Sequence, residues 1–278
     1  MKIKFKKSVI GYILFGMVVL FVMMYIRFPG DAVGRYIMGR FAEANQDLIL
    51  TVGKVGMGFP PGLRLENVAI IHRDGGEAGL KADVFKVRPS LPNLLRGRLV
   101  WLWHADLYSG RISGEAAFQN LATSKGYLNL ECNADGIQVE RWGDLKNSLQ
   151  RAITGKLRAS IVYKGEWGAL SNGSGNLDLT LLNGTYPLGE SFFGFDRLDF
   201  SRTEGQMSLK SGVLKINRLR LIADKVQCSL KGDVYLNSLN LKQSRIDLNC
   251  EMELPGQGGK RIILGLSGTL GSPVMKFL

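Results

Sequence analysis

Two histidines, His72 and His104, are the only imidazoles available for proton transfer in this chain of 278 residues. His104 lies in the run WLWHADLY. On an extended strand it shares a face with Asp106, whose Cα would be about 6–7 Å away. A carboxylate in that place can orient an imidazole as a general base. No G-x-S-x-G or similar nucleophile motif accompanies the couple, so it reads first as a surface or half-buried polar pair. His72 opens His-Arg-Asp-Gly-Gly, a turn in which Asp-Gly supplies the backbone chemistry.

Metal and phosphate chemistry have as little support. Cys132, Cys228 and Cys250 include no C-x-x-C pair and no histidine at ligand spacing. An odd number of cysteines excludes a complete disulfide framework. Cys228 and Cys250 both fall on the apolar side of their strands, and a hairpin turning near Leu239 would bring them opposite one another. Either they pair in an oxidising compartment or they stay as buried thiols. The glycine-rich stretches Ser171 to Gly175 and Pro255 to Gly259 lack a following Lys-Ser/Thr and a strand–helix context, and read as turns. No residue is assigned a catalytic, metal or cofactor role, and the chain reads as non-enzymatic, with no cofactor.

The remaining candidates are contact residues. Trp101 and Trp103 share a strand face with Leu107, either as a packed corner or as an aromatic lining for a partner or lipid. Phe192, Phe193 and Phe195 crowd ESFFGFDRLDF. Three aromatics in four positions cannot all face inward on one strand, so at least one is expected at the surface or in a loop.

The elements that hold these residues alternate apolar and polar with period two. Leu128, Leu130 and Cys132 interleave with Asn129, Glu131 and Asn133; Leu157, Ala159, Ile161 and Tyr163 repeat the pattern. So do Leu177 to Leu181, Val226 to Leu230 and Ile246 to Leu254. One wet and one apolar face per strand is the signature of an antiparallel sheet. Two helices are expected, one from Asp31 (a candidate N-cap) to about Gln46 with Val33, Tyr36, Ile37 and Phe41 on one face. The other runs from about Val139 to Ile153 with Val139, Trp142, Leu145, Leu149 and Ile153 in a stripe. Two helices cannot cover the apolar side of about a dozen strands. The sheet must therefore close on itself as a sandwich or barrel, or curl into a half-pipe whose trough is filled by helices, a partner or lipid chains.

Composition agrees: 45% apolar residues and 35 glycines suit many strands and tight turns. The net charge of +12 is uneven, because Lys2, Lys4, Lys6, Lys7 and Arg27 lie in the first 27 residues. No basic cluster interleaved with aromatics follows, and nucleic acid is not an expected partner. From Val9 to Ile26 the chain is uncharged, long enough at about 27 Å of helix to cross a bilayer. The lysines before it place residues 1–8 in the cytoplasm and export residues 27–278. A cleaved signal peptide would have a shorter apolar core and a small-x-small site just after it, whereas the nearest such triplet, Ala42-Glu43-Ala44, is far downstream. The expected chain is a cytoplasmic tail (1–8), a membrane helix (9–26) and one antiparallel β-rich domain (27–278).

A strand from Leu48 to Val55 leads into FPPGLRLENVAI, and the sequence closes on LGLSGTLGSPVMKFL. Between them recur units of glycine, alternating strand and polar turn, beginning at Gly155, Gly175, Ser211 and Lys231. This order resembles the N component of bacterial type II secretion systems (GspN), and is similar to the wider AsmA-like group. The resemblance implies a Gram-negative inner-membrane protein whose bulk is a periplasmic curled sheet with an apolar groove, working with other secretion proteins as a scaffold or accessory factor. The other reading it implies is a lipid-binding, lipid-transfer or outer-membrane assembly factor holding phospholipid in the trough. A hydrolase around His104 and Asp106 is the third and weakest reading.

Overall fold

The computed structural model describes residues 7–58, 60–73, 78–119, 126–143, 153–166, 172–192, 195–223, 226–237, 240–254 and 260–277. Helix α1 (Lys7–Ile26) and helix α2 (Gly30–Ala44) precede the sheet. The first strands are β1 (Leu48–Gly58), β2 (Gly62–His72), β3 (Ala78–Pro89), β4 (Leu99–Leu107) and β5 (Gly110–Gln119). A five-residue helix, α3 (Leu91–Leu95), links β3 to β4. There follow β6 (Tyr127–Gln138), β7 (Lys156–Glu166), β8 (Ser174–Phe192), β9 (Phe195–Lys210) and β10 (Val213–Ala223). The last are β11 (Gln227–Tyr235), β12 (Arg245–Leu254), β13 (Lys260–Thr269) and β14 (Ser272–Phe277).

All fourteen strands form one sheet in which every strand pairs antiparallel with its neighbours in sequence. The antiparallel, mainly β expectation holds, with two more strands than the dozen anticipated. The alternation works as expected: on β12, Ile246, Leu248 and Cys250 are buried while Arg245, Asp247, Asn249 and Glu251 are exposed. Register then lines apolar positions up across strands. One row runs from Trp103 through Gly114, Cys132, Ile161 and Leu177 to Met207. Another runs from Leu219 through Leu230, Cys250 and Leu264 to Phe277.

Three apolar clusters follow that face. The first joins Leu65, Val68, Ala105, Leu107 and Ile137 under Ile37 of α2. The second centres on Val139, Leu181 and Phe200, and the third on Ile216, Val234, Ile246 and Leu248. Between them many face residues, including Leu177, Leu179 and Leu230, are only half-buried. The molecule exposes 18816 Å², against about 12,000 Å² for a compact monomer of this mass. Exposed α1 accounts for part of that excess, and the half-buried face residues add to it.

α2 rests on β1. A Cβ on Gly30 would collide with the Val55 carbonyl oxygen, and one on Gly34 would stand 3.1 Å from Val55 Cγ2. Its N-cap is Pro29 rather than Asp31, which sits in the first turn where a carboxylate complements the helix dipole. Tyr36, expected on the packed face, is exposed.

The second expected helix is corrected in part. Its first turn is a 3-10 turn over Val139–Arg141, Gly143 is α-helical, and Ile153 is not helical; residues 144–152 lie outside the described residues. Val139, Trp142 and Ile153 nevertheless pack onto the sheet, as the stripe implied. The turn expected after His72 also falls largely outside the described residues, and His72 itself ends β2.

At the C-terminal end of α1, Tyr25 and Ile26, with Phe28 just beyond, border a cleft with Lys54, Val55, Met57 and Arg64. Among the described residues no helix is long and apolar enough to cross a membrane; several positions of α1 lie outside that set.

Candidate contact surfaces

Trp101 and Trp103 project from β4 to the apolar side with Ala105 and Leu107. Trp103 has room because its cross-strand partner is Gly114, where any Cβ would press to 2.8 Å from the indole. Its ring stacks at 6.4 Å on Phe85 of β3. Trp103 is thus held against Phe85, and both tryptophans are half-buried. Trp101 lies farther along, opposite Pro89 and beside the start of α3.

α3 was not anticipated. Ser90 at its N-cap position, proline in the first turn and Gly97 at φ 72° just beyond are the signals that could have found it. Leu91, Leu94 and Leu95 are all exposed, Leu95 by 90%, and Arg96 and Arg98 beside them are exposed too. Strand register puts α3 at the same end of the sheet as the exit of α1. Gly58 pairs with Gly62, Leu63 with Val87, and Val87 with Trp103.

On the opposite face of β4, His104 Nε2 stands 3.1 Å from Asp106 Oδ1, as the sequence suggested. Arg111 Nε approaches the same oxygen at 3.3 Å. Burial pushes the Asp106 carboxyl up, but Arg111 and His104 outweigh it and hold the group below its ordinary range. Ser113 is the cross-strand partner of His104. Among the described residues no hydrogen bond joins Ser113 to His104, so the residues form a solvated charge cluster. A shallow pocket of about 350 Å³ beside it is lined by Lys86, Arg88, Leu102 and His104.

The phenylalanines mark the tip of the β8–β9 hairpin, the longest in the sheet. Phe192 ends β8, Phe195 begins β9, and the two are register partners. Phe193 and the side chains of Phe192 and Phe195 lie outside the described residues. The expectation that at least one of the three is exposed or in a loop therefore falls on residues outside the described ones.

The two sheet edges differ. β1 is overlaid by α2. Among the described residues β14 pairs only with β13, and each of its six residues is exposed. Met275 and Phe277 face Leu266 and Leu264 across the ladder, so they continue the apolar rows to the edge, 60% and 81% exposed. Pro273 and Lys276 interrupt the edge, a common guard against indiscriminate strand pairing. Pro273 is the local signal of an edge strand here, since a proline cannot donate to a ladder on both sides.

Cys228 and Cys250 share the apolar face, but the expectation that they lie directly opposite is corrected. Cys228 pairs with Met252 and Cys250 with Leu230, which leaves the cysteines on a diagonal. Leu239 lies outside the described residues, and a 3-10 turn over Leu241–Gln243 lengthens the connection. Cys132 is on β6, far from both.

Comparison with protein-family models, with curated proteins and with solved structures finds no significant match to any of them.

Proposed function

We propose that this chain is a membrane-anchored, non-enzymatic scaffold that docks a partner along the β14 edge, in a Gram-negative type II secretion apparatus. The observation that carries the docking role is the asymmetry of the sheet: α2 packs against β1 at one edge, while at the other β14 has no second strand partner among the described residues and exposes Met275 and Phe277. An extended partner segment can add a strand there, taking affinity from backbone hydrogen bonds and selectivity from those side chains. The secretion context comes from the sequence resemblance alone.

α1 is the proposed anchor. Its twenty residues span about 30 Å, the thickness of a bilayer core. Tyr12, Phe15, Leu20 and Ile26 are exposed around the helix, a distribution that suits lipid better than water. The exposed leucines of α3, with Arg96 and Arg98, lie at the end where α1 leaves the sheet. They suit shallow contact with the same membrane surface. The basic N-terminus would stay in the cytoplasm and the sheet would face the periplasm.

The test is a deletion strain complemented with the wild-type chain or a Met275→Lys/Phe277→Lys variant, with secreted enzyme measured in medium and periplasm. Wild type should restore export and the variant should not. Undiminished export without the chain overturns the secretion role; full rescue by the variant overturns docking at β14.

A second reading is favoured by the half-buried apolar rows and the excess exposed area. A curled sheet with such a face can hold acyl chains. Lipid extraction and native mass spectrometry of the purified chain would show phospholipid at a fixed ratio under this reading, and none if the face is covered by protein alone.

A further inference from the structure

Near the β14 end the apolar face carries two thiols in contact. The Sγ atoms of Cys228 and Cys250 are 2.9 Å apart, only about 0.9 Å beyond the length of a disulfide bond. They come from adjacent strands, point to the same side, and sit 22 positions apart in the chain. Cys250 is buried and Cys228 half-buried, so one sulfur is sheltered and the other can be reached. Two sulfurs are too few for a structural metal site, and among the described residues no cluster of three or more metal-binding side chains occurs.

We propose that Cys228 and Cys250 are a disulfide-forming pair that staples β11 to β12, with Cys132 left as a free thiol. The oxidant is a disulfide of a small molecule or protein. One cysteine, as thiolate, attacks a sulfur of that disulfide, forming a mixed disulfide and expelling one oxidant thiolate. The second cysteine gives up its proton and attacks the first cysteine's sulfur, which expels the other oxidant thiolate. The chain loses two electrons and two protons, and the oxidant becomes two thiols.

Exposure and electrostatics divide the pair differently: Cys228 is the sulfur that can be reached, while the sheltered Cys250 beside it gives up its proton more readily. The hydrogen bond from Cys228 pulls the Cys250 thiol down to about 7, against the upward push of burial and of Glu251. The same hydrogen bond, then burial, pushes Cys228 up. Near neutrality the pair therefore holds one proton between two sulfurs, a thiolate beside a thiol that can resolve the mixed disulfide. The inference stands on this geometry and not on the secretion reading; a periplasmic location would only supply the oxidant.

The experiment uses the full chain in detergent, equilibrated with reduced and oxidised glutathione, then alkylated and mapped by mass spectrometry. Under oxidising buffer, a single alkylated cysteine at Cys132 and a linked Cys228–Cys250 peptide 2 Da lighter than the two thiols are expected. Reduction should lower the midpoint of thermal unfolding by roughly 5–10 °C. A Cys132→Ser variant should keep that shift, and a Cys228→Ser variant should lose it. Three alkylated cysteines at every buffer potential, in protein with a folded circular-dichroism spectrum, would overturn the proposal. So would a linkage through Cys132. The peptide map reads the wild-type chain, so the proposal remains testable even where a cysteine variant fails to fold.

Discussion

Asp106 and Tyr108 lie two positions apart and follow different physics. Asp106 is half-buried and shared by Arg111 and His104. Its folded-state pKa is lowered, so its favourable contribution is present above the unfolded carboxylate range and is lost as pH falls through the folded value, below 3.8. Asp106→Asn should abolish that acid-limb contribution and cost no more than about 1 kcal/mol at neutral pH, because water screens the cluster. Urea unfolding at pH 3 and pH 7 would measure it. Tyr108 is buried, and its hydroxyl accepts a hydrogen bond from Lys81 N at 2.9 Å, standing in for a missing ladder partner. Its ring also stacks on Trp142. Tyr108→Phe keeps the stack but strands the amide, and should destabilise the fold by about 1–2 kcal/mol in the same titration.

For elements, legibility depended on whether the signal was local. Alternation along β6, β7, β8 and β12 was readable, because which side a residue faces needs no knowledge of its neighbours. Spacing at Val139, Trp142 and Ile153 correctly announced burial, although the described part of that segment holds a 3-10 turn and α-helix at Gly143 alone. Periodicity reports a face before it reports an element. The offset of Cys228 from Cys250 was invisible, since it depends on the length of the 236–244 connection. The stacking of Trp103 on Phe85 depended likewise on register, and α3 is too short for any periodicity to show. The α2–β1 contact supplies an element-scale prediction. Gly30→Ala should force α2 away from Val55 and cost about 1–3 kcal/mol, more than Gly34→Ala, whose neighbour is a side chain that can yield. Thermal melts of the two variants give the comparison.

At the scale of the molecule, the proposed membrane and partner surfaces lie on different strands: α1 and α3 beside the first four strands, the proposed docking edge on β14 at the other end of the strand order. In nanodiscs of brominated phospholipid, the emission of Trp101, taken as the difference from Trp101→Phe, should be quenched. Leu94→Ser/Leu95→Ser should relieve that quenching with no effect on insertion of α1. Unquenched Trp101 in the inserted wild-type chain would detach α3 from the bilayer.

The strict neighbour-to-neighbour strand order also bears on how the chain acquires its structure. Nearly every long-range pairing closes a short stretch of chain, so the entropy of loop closure is met in small steps. A polypeptide emerging N-terminus first from a narrow channel can add each strand to one already formed, with no need to wait for its last residue. Only the most recent strand is ever without its partner, which keeps the growing edge brief at each moment of synthesis or translocation.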